Sequence, residues 1–286
     1  VSGFDVLPLT GEGRALYEKE RGHRPEVARV LITVKAAPQP SEKYGDTVCV
    51  AGIRMREGSG PEWIRLYPIP FRSMAELERF KKYDVVDVRV TPAADDYRSE
   101  SYRPDRGSLV VVDHLPPWKP RHEYVRPLTD QWTMCRILAT ARAKQAYPSL
   151  AVVRPRRVDD LVVTPHPGWT ADQQRKIDRA ANQLDLFDDR AGQPTPLQAP
   201  RFTAHYHYVC DEPGCAGHKQ SLIDWEAAEL VRRWHANDSD AVAAAALRTR
   251  FFDEMADSAR GPLFFVGNQH QAPRGFTVLG VYRSLG

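Results

Sequence analysis

Through the first third of the chain, apolar residues alternate with polar ones or run in short unbroken blocks set off by turn residues. Residues 30–34 (Val-Leu-Ile-Thr-Val) read as a strand, broken by Pro38-Gln39-Pro40-Ser41. Residues 47–53 read as the next strand, and Gly58-Ser59-Gly60-Pro61 turns the chain back into a third over residues 63–69. Residues 73–83 predict a short helix, capped by Ser73 and carrying Met74, Leu77 and Phe80 on one stripe. Strands follow at 85–90 and 109–112, separated by a polar loop at 95–105. Several short strands with one helix predict a small β-barrel of OB or PUA-like type.

Beyond residue 130 the period lengthens and the prediction becomes α+β. Residues 132–147 form a helical pattern, with Met134, Leu138 and Ala141 on one face and Arg136, Arg142 and Lys144 on the other. Strand patterns at 151–157 and 161–163 lead to a helical stretch at 170–186, and residues 188–200 read as a Gly-, Pro- and Gln-rich linker. Asp224 caps a helix through Trp225, Ala228, Val231 and Trp234, an Ala-rich helix spans 240–255, and a hairpin closes the chain at 263–268 and 276–283. The expected organisation is an N-terminal arm (1–29) with no assigned function, a β-barrel domain (30–130), a helix/strand connector (131–200), and an α+β domain with a zinc knuckle (201–286).

The knuckle rests on His207, Cys210, Cys215 and His218, spaced His-x2-Cys-x4-Cys-x2-His. Asp211-Glu212-Pro213-Gly214 is a turn that would bring the two pairs together. Two thiolates and two imidazoles suit tetrahedral Zn2+ in a closed, structural site. The alternative is a Cys210–Cys215 disulfide in a hairpin, which leaves the matching offsets of His207 and His218 unexplained. His205 is a spare on the same side of the strand as His207.

Composition narrows the classes. The chain has 286 residues, 42% of them hydrophobic, four cysteines and a formal net charge of +3. No apolar run approaches the ~20 residues of a membrane-spanning helix. The N-terminus carries no basic-then-apolar signal. So few cysteines fit a reducing cytoplasm. The net charge is too small to argue nucleic-acid binding, but its distribution is uneven: Arg136, Arg142, Lys144, Arg154, Arg156 and Arg157 fall in an acid-free stretch from 131 to 158. Trp63, Arg65 and Tyr67 share one face of their strand and would suit a single-stranded DNA or RNA platform, with rings for bases and a cation for phosphate. A barrel wall with an amphipathic outer face would read the same way. Asp95, Asp96, Glu100 and Asp105 could hold a divalent cation for phosphodiester cleavage, or form solvated ion pairs with Arg98 and Arg103. No phosphate-binding loop, dinucleotide fingerprint, nucleophile elbow or zinc-protease helix occurs, and no catalytic residue is assigned.

Two resemblances add context. Gln183-Leu184-Asp185-Leu186-Phe187 resembles the pentapeptide by which bacterial proteins dock on the replicative sliding clamp, a Gln side chain at one end and a Leu-Phe pair for an apolar pocket at the other. Residues 44–53, residues 63–68 and the run from the knuckle to Asp224-Trp225-Glu226 are similar to an uncharacterised bacterial family with dual OB-type domains, found among nucleic-acid-handling and phage-defence genes. That likeness implies a nucleic-acid-binding, zinc-containing subunit of a DNA-processing or anti-phage defence assembly, with protein partners. A metal-dependent nuclease and a protein-interaction scaffold are the competing expectations.

Overall fold

The computed structural model describes residues 24–40, 48–56, 58–69, 79–185, 197–270 and 272–284. Strands β1 (Glu26–Lys35), β2 (Val48–Arg54) and β3 (Glu62–Ile69) form an antiparallel meander. Strand β5 (Ser101–Pro104) pairs parallel to β3 and antiparallel to β4 (Asp84–Pro92), and β4 returns antiparallel to β1. The result is a closed five-stranded barrel, consistent with the small OB-like barrel expected from the sequence. A further strand, β6 (Val110–His114), extends the sheet from the first half of β4. Within the segment expected to be a polar loop, 101–104 is strand. Most of the helix expected at 73–83 lies outside the described residues, and residues 79–83 are not helical.

Period-two alternation sends each barrel strand's side chains to two different cores. Val30 and Ile32, Val48 and Val50, Ile64 and Leu66, and Val86, Val88 and Val90 fill the barrel interior. Leu31, Val34, Ala51, Ile53, Val85 and the half-buried Trp63 point outward into a second apolar cluster. An outward face this apolar requires a cover.

The rest of the chain supplies it. After α1 (Lys119–Val125) and α2 (Met134–Arg142), β7 (Leu150–Val153) gives way at Arg154 to the long β8 (Pro155–Pro165). Helix α3 (Ala171–Asp185), β9 (Phe202–Cys210), β10 (His218–Ser221), α4 (Trp225–Glu229), α5 (Asp240–Arg248), β11 (Pro262–Gln269) and β12 (Ala272–Arg283) complete the order. Two antiparallel three-stranded sheets result, β10-β9-β8 and β12-β11-β7. The segment expected as a connector contributes one strand to each sheet, β7 to one and β8 to the other.

Sheet β12-β11-β7 is buried on both faces, which explains unbroken apolar runs such as Leu263-Phe264-Phe265-Val266. Phe264, Val266, Ala151, Val153 and Val278 face the larger core under β8 and β9. Leu263, Phe265, Leu150, Val152 and Leu279 face the barrel. Polar contacts cross the same boundary. Lys82 Nζ lies 2.5 Å from Asp224 Oδ2 and 3.2 Å from Glu226 Oε2, with Lys82 and Asp224 both buried. Burial alone would strip the Lys82 proton, but the two carboxylates outweigh it and hold its pKa above the ordinary value. Gly280 leaves room for this pair, since a Cβ there would sit 3.3 Å from Asp224 Oδ2. Arg98 Nη1 donates to Asn268 O at 3.1 Å, and Ala37 N to Ile223 O at 2.7 Å.

Candidate metal centre and interdomain cleft

Cys210 ends β9 and His218 opens β10, and the two strands pair antiparallel with His218 opposite Tyr208. The connection between them turns at Gly214 (φ 76°) and Gly217 (φ 105°), backbone angles that glycine adopts without strain. Cys215 N donates to Glu212 O at 3.1 Å within it. This loop receives the start of α2. Thr133 caps that helix by accepting from Arg136 N, and its hydroxyl donates to Glu212 Oε2 at 2.7 Å. The first turn of that helix delivers Cys135.

Cys135, Cys210, Cys215 and His218 offer four ligand atoms, all within 4.8 Å of one another. His218 Nε2 lies 3.4 Å from Cys135 Sγ, 3.3 Å from Cys210 Sγ and 3.2 Å from Cys215 Sγ, while the Cys210 and Cys215 sulfurs are 3.6 Å apart. A tetrahedron with metal–sulfur bonds of about 2.3 Å and a metal–nitrogen bond of about 2.0 Å has edges of about 3.8 Å and about 3.5 Å. The four atoms therefore already stand near the corners of a site compatible with zinc. A disulfide requires sulfurs at about 2.05 Å, and all four cysteines are free.

The expected set is corrected at one corner, where Cys135 stands in place of His207. His207 lies three residues before Cys210 on one continuous strand, an odd offset that places the two side chains on opposite faces. Its Nε2 is buried without a hydrogen-bond partner among the described residues. Burial pushes the Cys135 thiol up to about 12, reinforced by its hydrogen bonds to Cys215 and Cys210. Burial also works against the Cys215 thiolate, but backbone N–H groups of Gly217 and Cys210 outweigh it and lower its pKa. Thiols this close share protons, and a bound cation takes the protons' place.

The other expected sites fare differently. Trp63 packs edge-on against Phe265 of β11, with ring centroids 5.9 Å apart. Arg65 is 3% exposed, its guanidinium donating to Ser149 Oγ and Cys49 Sγ, both at 3.2 Å, beside Glu100. The face of β2 and β3 that OB barrels use for ligands is therefore covered by the second sheet. Tyr67 is half-buried further along the strand. Two of the six cations of the acid-free segment pair with nearby acids, Arg154 with Asp130 and Arg157 with Asp159. Arg136 lies over the Trp132 ring at 4.9 Å, while Arg142, Lys144 and Arg156 are exposed. The loop carboxylates do not converge. Asp95 pairs with Arg103, Asp96 with Arg98 and Asp105 with Arg89, and Glu100 accepts from Ser149. Of the candidate docking pentapeptide, Gln183, Leu184 and Asp185 end α3, and Leu186 and Phe187 lie outside the described residues.

Cations and rings do meet at a place the sequence reading did not select. A cleft of about 580 Å3 opens between the barrel and α4, lined by Lys35, Arg79, Phe80 and Lys81 on one side. Trp225, Glu226, Glu229, Arg233, Trp234 and Arg250 line the other. Five cations thus line the cleft with two carboxylates; Arg233, with Arg232, pairs with Glu229, Arg250 pairs with Glu254, and Glu226 lies by Lys82. Trp234 is 79% exposed at the end of the wide turn Leu230–Trp234 that continues α4. The 3–4 spacing around Trp234 and the adjacent Arg232-Arg233 were visible in the sequence, but that the barrel's residues 79–81 stand opposite them was not.

The profile of the family described as Domain of unknown function (DUF8757) matches residues 130–285, more than half of the 286-residue chain. The chain belongs to that family. A second profile, Domain of unknown function (DUF8758), matches residues 26–127, the segment that forms the barrel and α1. Among curated proteins, none matches the chain. No helix among the described residues is long and apolar enough to cross a membrane.

Proposed function

We propose that this DUF8757 member is a single-stranded nucleic-acid-binding protein whose strand lies in the interdomain cleft, and that a structural zinc at Cys135, Cys210, Cys215 and His218 holds the second unit together. The observation that carries the reading is Trp234. An indole left four-fifths in water forgoes the ~25 cal/mol gained per Å2 of apolar surface buried, and a stacked base would cover it. The cations around it supply the phosphate attraction that base stacking alone lacks. Four protein ligands would close the zinc site against water and substrate, so the metal's part is to join α2 to the β9–β10 loop.

Fluorescence anisotropy with a labelled single-stranded oligonucleotide tests this. Binding should weaken with salt, and Lys81→Ala should shallow the log–log salt slope by roughly 0.7. Trp234→Ala should cost on the order of 1–3 kcal/mol with little change in slope. Salt-insensitive binding, or none, would remove the proposal and leave protein contacts as the role of the cleft.

A further inference from the structure

We propose that the inner end of this cleft is a terminal-phosphate pocket: Lys35, flanked by Arg79 and Lys81, holds the phosphomonoester at the end of a single strand whose last base stacks on Trp234. The inference rests on the cleft reading above and adds to it the form of strand that is preferred.

Lys35 lines the cleft yet is only 6% exposed, so its ammonium lies at the floor while Trp234 stands at the mouth. Its Nζ donates to Phe80 O at 3.3 Å, and the residues on either side of Phe80, Arg79 and Lys81, line the same cleft. Three cations thus gather around one backbone segment. The charged groups facing Lys35 are Glu226, Lys82, Asp224 and Asp84. Burial, with Lys82 adding to it against the three carboxylates, brings the Lys35 pKa down to about 8. Burial deprives the Lys35 ammonium of water, and an anion entering the cleft would favour its charged form.

The geometry separates two kinds of phosphate. An internal phosphodiester carries a sugar on each side and offers two free oxygens at the strand's flank. A terminal phosphomonoester carries one sugar, projects beyond it, and offers three oxygens and up to two negative charges. Only the latter can reach a cation at the floor of a pocket while its own base remains at the mouth. The volume of about 580 Å3 is of the size that takes a ligand of one or two nucleotides.

The experiment compares four forms of one short, internally labelled oligothymidylate by anisotropy: 5′-phosphorylated, 3′-phosphorylated, hydroxyl at both ends, and circular. One phosphorylated form should bind roughly tenfold tighter than the hydroxyl form, the gain expected of one charge-assisted contact. Lys35→Met should collapse that difference, and Lys81→Ala, an exposed position, should reduce it. The wild-type comparison decides the matter even if Lys35→Met fails to fold. Equal affinity for all four forms would overturn the terminal-phosphate pocket and leave the cleft reading standing. A preference that survives in folded Lys35→Met would overturn the role of Lys35. Absence of binding to every form would overturn both readings.

Discussion

Replacing Cys135 by Ser tests the metal centre at the point where sequence and structure diverge. The substitution removes one of four ligand atoms, all within 4.8 Å of one another, and leaves Cys210, Cys215 and His218 in place. Structural zinc sites contribute about 10–16 kcal/mol in all, so an equal share per ligand is about 2.5–4 kcal/mol, or about 10²–10³-fold in affinity. Cys135→Ser should therefore yield zinc to a competing chelator at about 10²–10³-fold lower concentration than wild type. His207→Ala is the matched comparison, because His207 points away from Cys210 across β9. It should keep one zinc per chain by elemental analysis. Hydrogen exchange adds a spatial readout: loss of Cys135 should release the first turn of α2, which otherwise rests on the Thr133–Glu212 hydrogen bond and its N-cap. If His207→Ala loses its metal while Cys135→Ser keeps it, the ligand set derived from the geometry is wrong.

Three further outcomes follow from the boundary between the two units. Lys82→Ala leaves the buried Asp224 without its ammonium, which should lower stability by about 3–5 kcal/mol in urea titrations; a loss within ~1 kcal/mol would contradict the pairing. Trp63→Ala opens space beside Phe265 and should cost about 3 kcal/mol in stability, while leaving oligonucleotide affinity unchanged; a stable variant with weakened binding would restore the β3 platform. Lys35 gives a pH signature. Its folded pKa of about 8 lies below the unfolded value of about 10.4, so between them the unfolded chain keeps the proton that the folded chain has lost. Stability relative to Lys35→Met should then be flat below that window and rise with pH across it, by up to about 3 kcal/mol. A fall across the same window would refute the burial argument.

The barrel was legible because its strands obey one rule. Alternation at Val30/Ile32 against Leu31, and at Ile64/Leu66 against Trp63, separates two faces, and the Gly58–Pro61 segment marks a turn. That the second face would also be covered was not legible, because the cover comes from Leu150, Val152, Leu263 and Phe265, far along the chain. Helix α1 lies in a stretch to which the sequence reading assigned no element: Pro116, Pro117, Pro120 and Pro127 obscure it, although a proline suits the first turn of a helix and stands there in α1. Strand β8 read as two pieces because the cluster Arg156, Arg157, Asp159 and Asp160 interrupts its apolar residues. Paired along β9, this strand sends Arg157 to Asp159 and Asp160 to Arg248 of α5.

The candidate sites separate along the same line, between what spacing fixes and what only the tertiary fold can supply. Cys210, Cys215 and His218 were recoverable from spacing, since a tight loop returns His218 beside Cys210. His207 failed on parity: a ligand pair with two residues between them in a loop can turn inward together, but here β9 stays extended through Cys210 and the odd offset opposes them. The signal for Cys135 was a cysteine two residues after a capping Thr133, which nothing local could connect to a loop beginning at Asp211. Charge behaves likewise. Arg65 looked like an exposed cation on an amphipathic strand, yet one of its acceptors, Ser149, lies 84 residues away and the guanidinium is buried. Trp234 looked like one more ring on an apolar stripe and is instead exposed, because the turn Leu230–Trp234 widens and carries it off the buried face that holds Val231. An amphipathic pattern fixes two faces of an element, and which of them meets solvent is decided by a partner segment that the pattern does not contain.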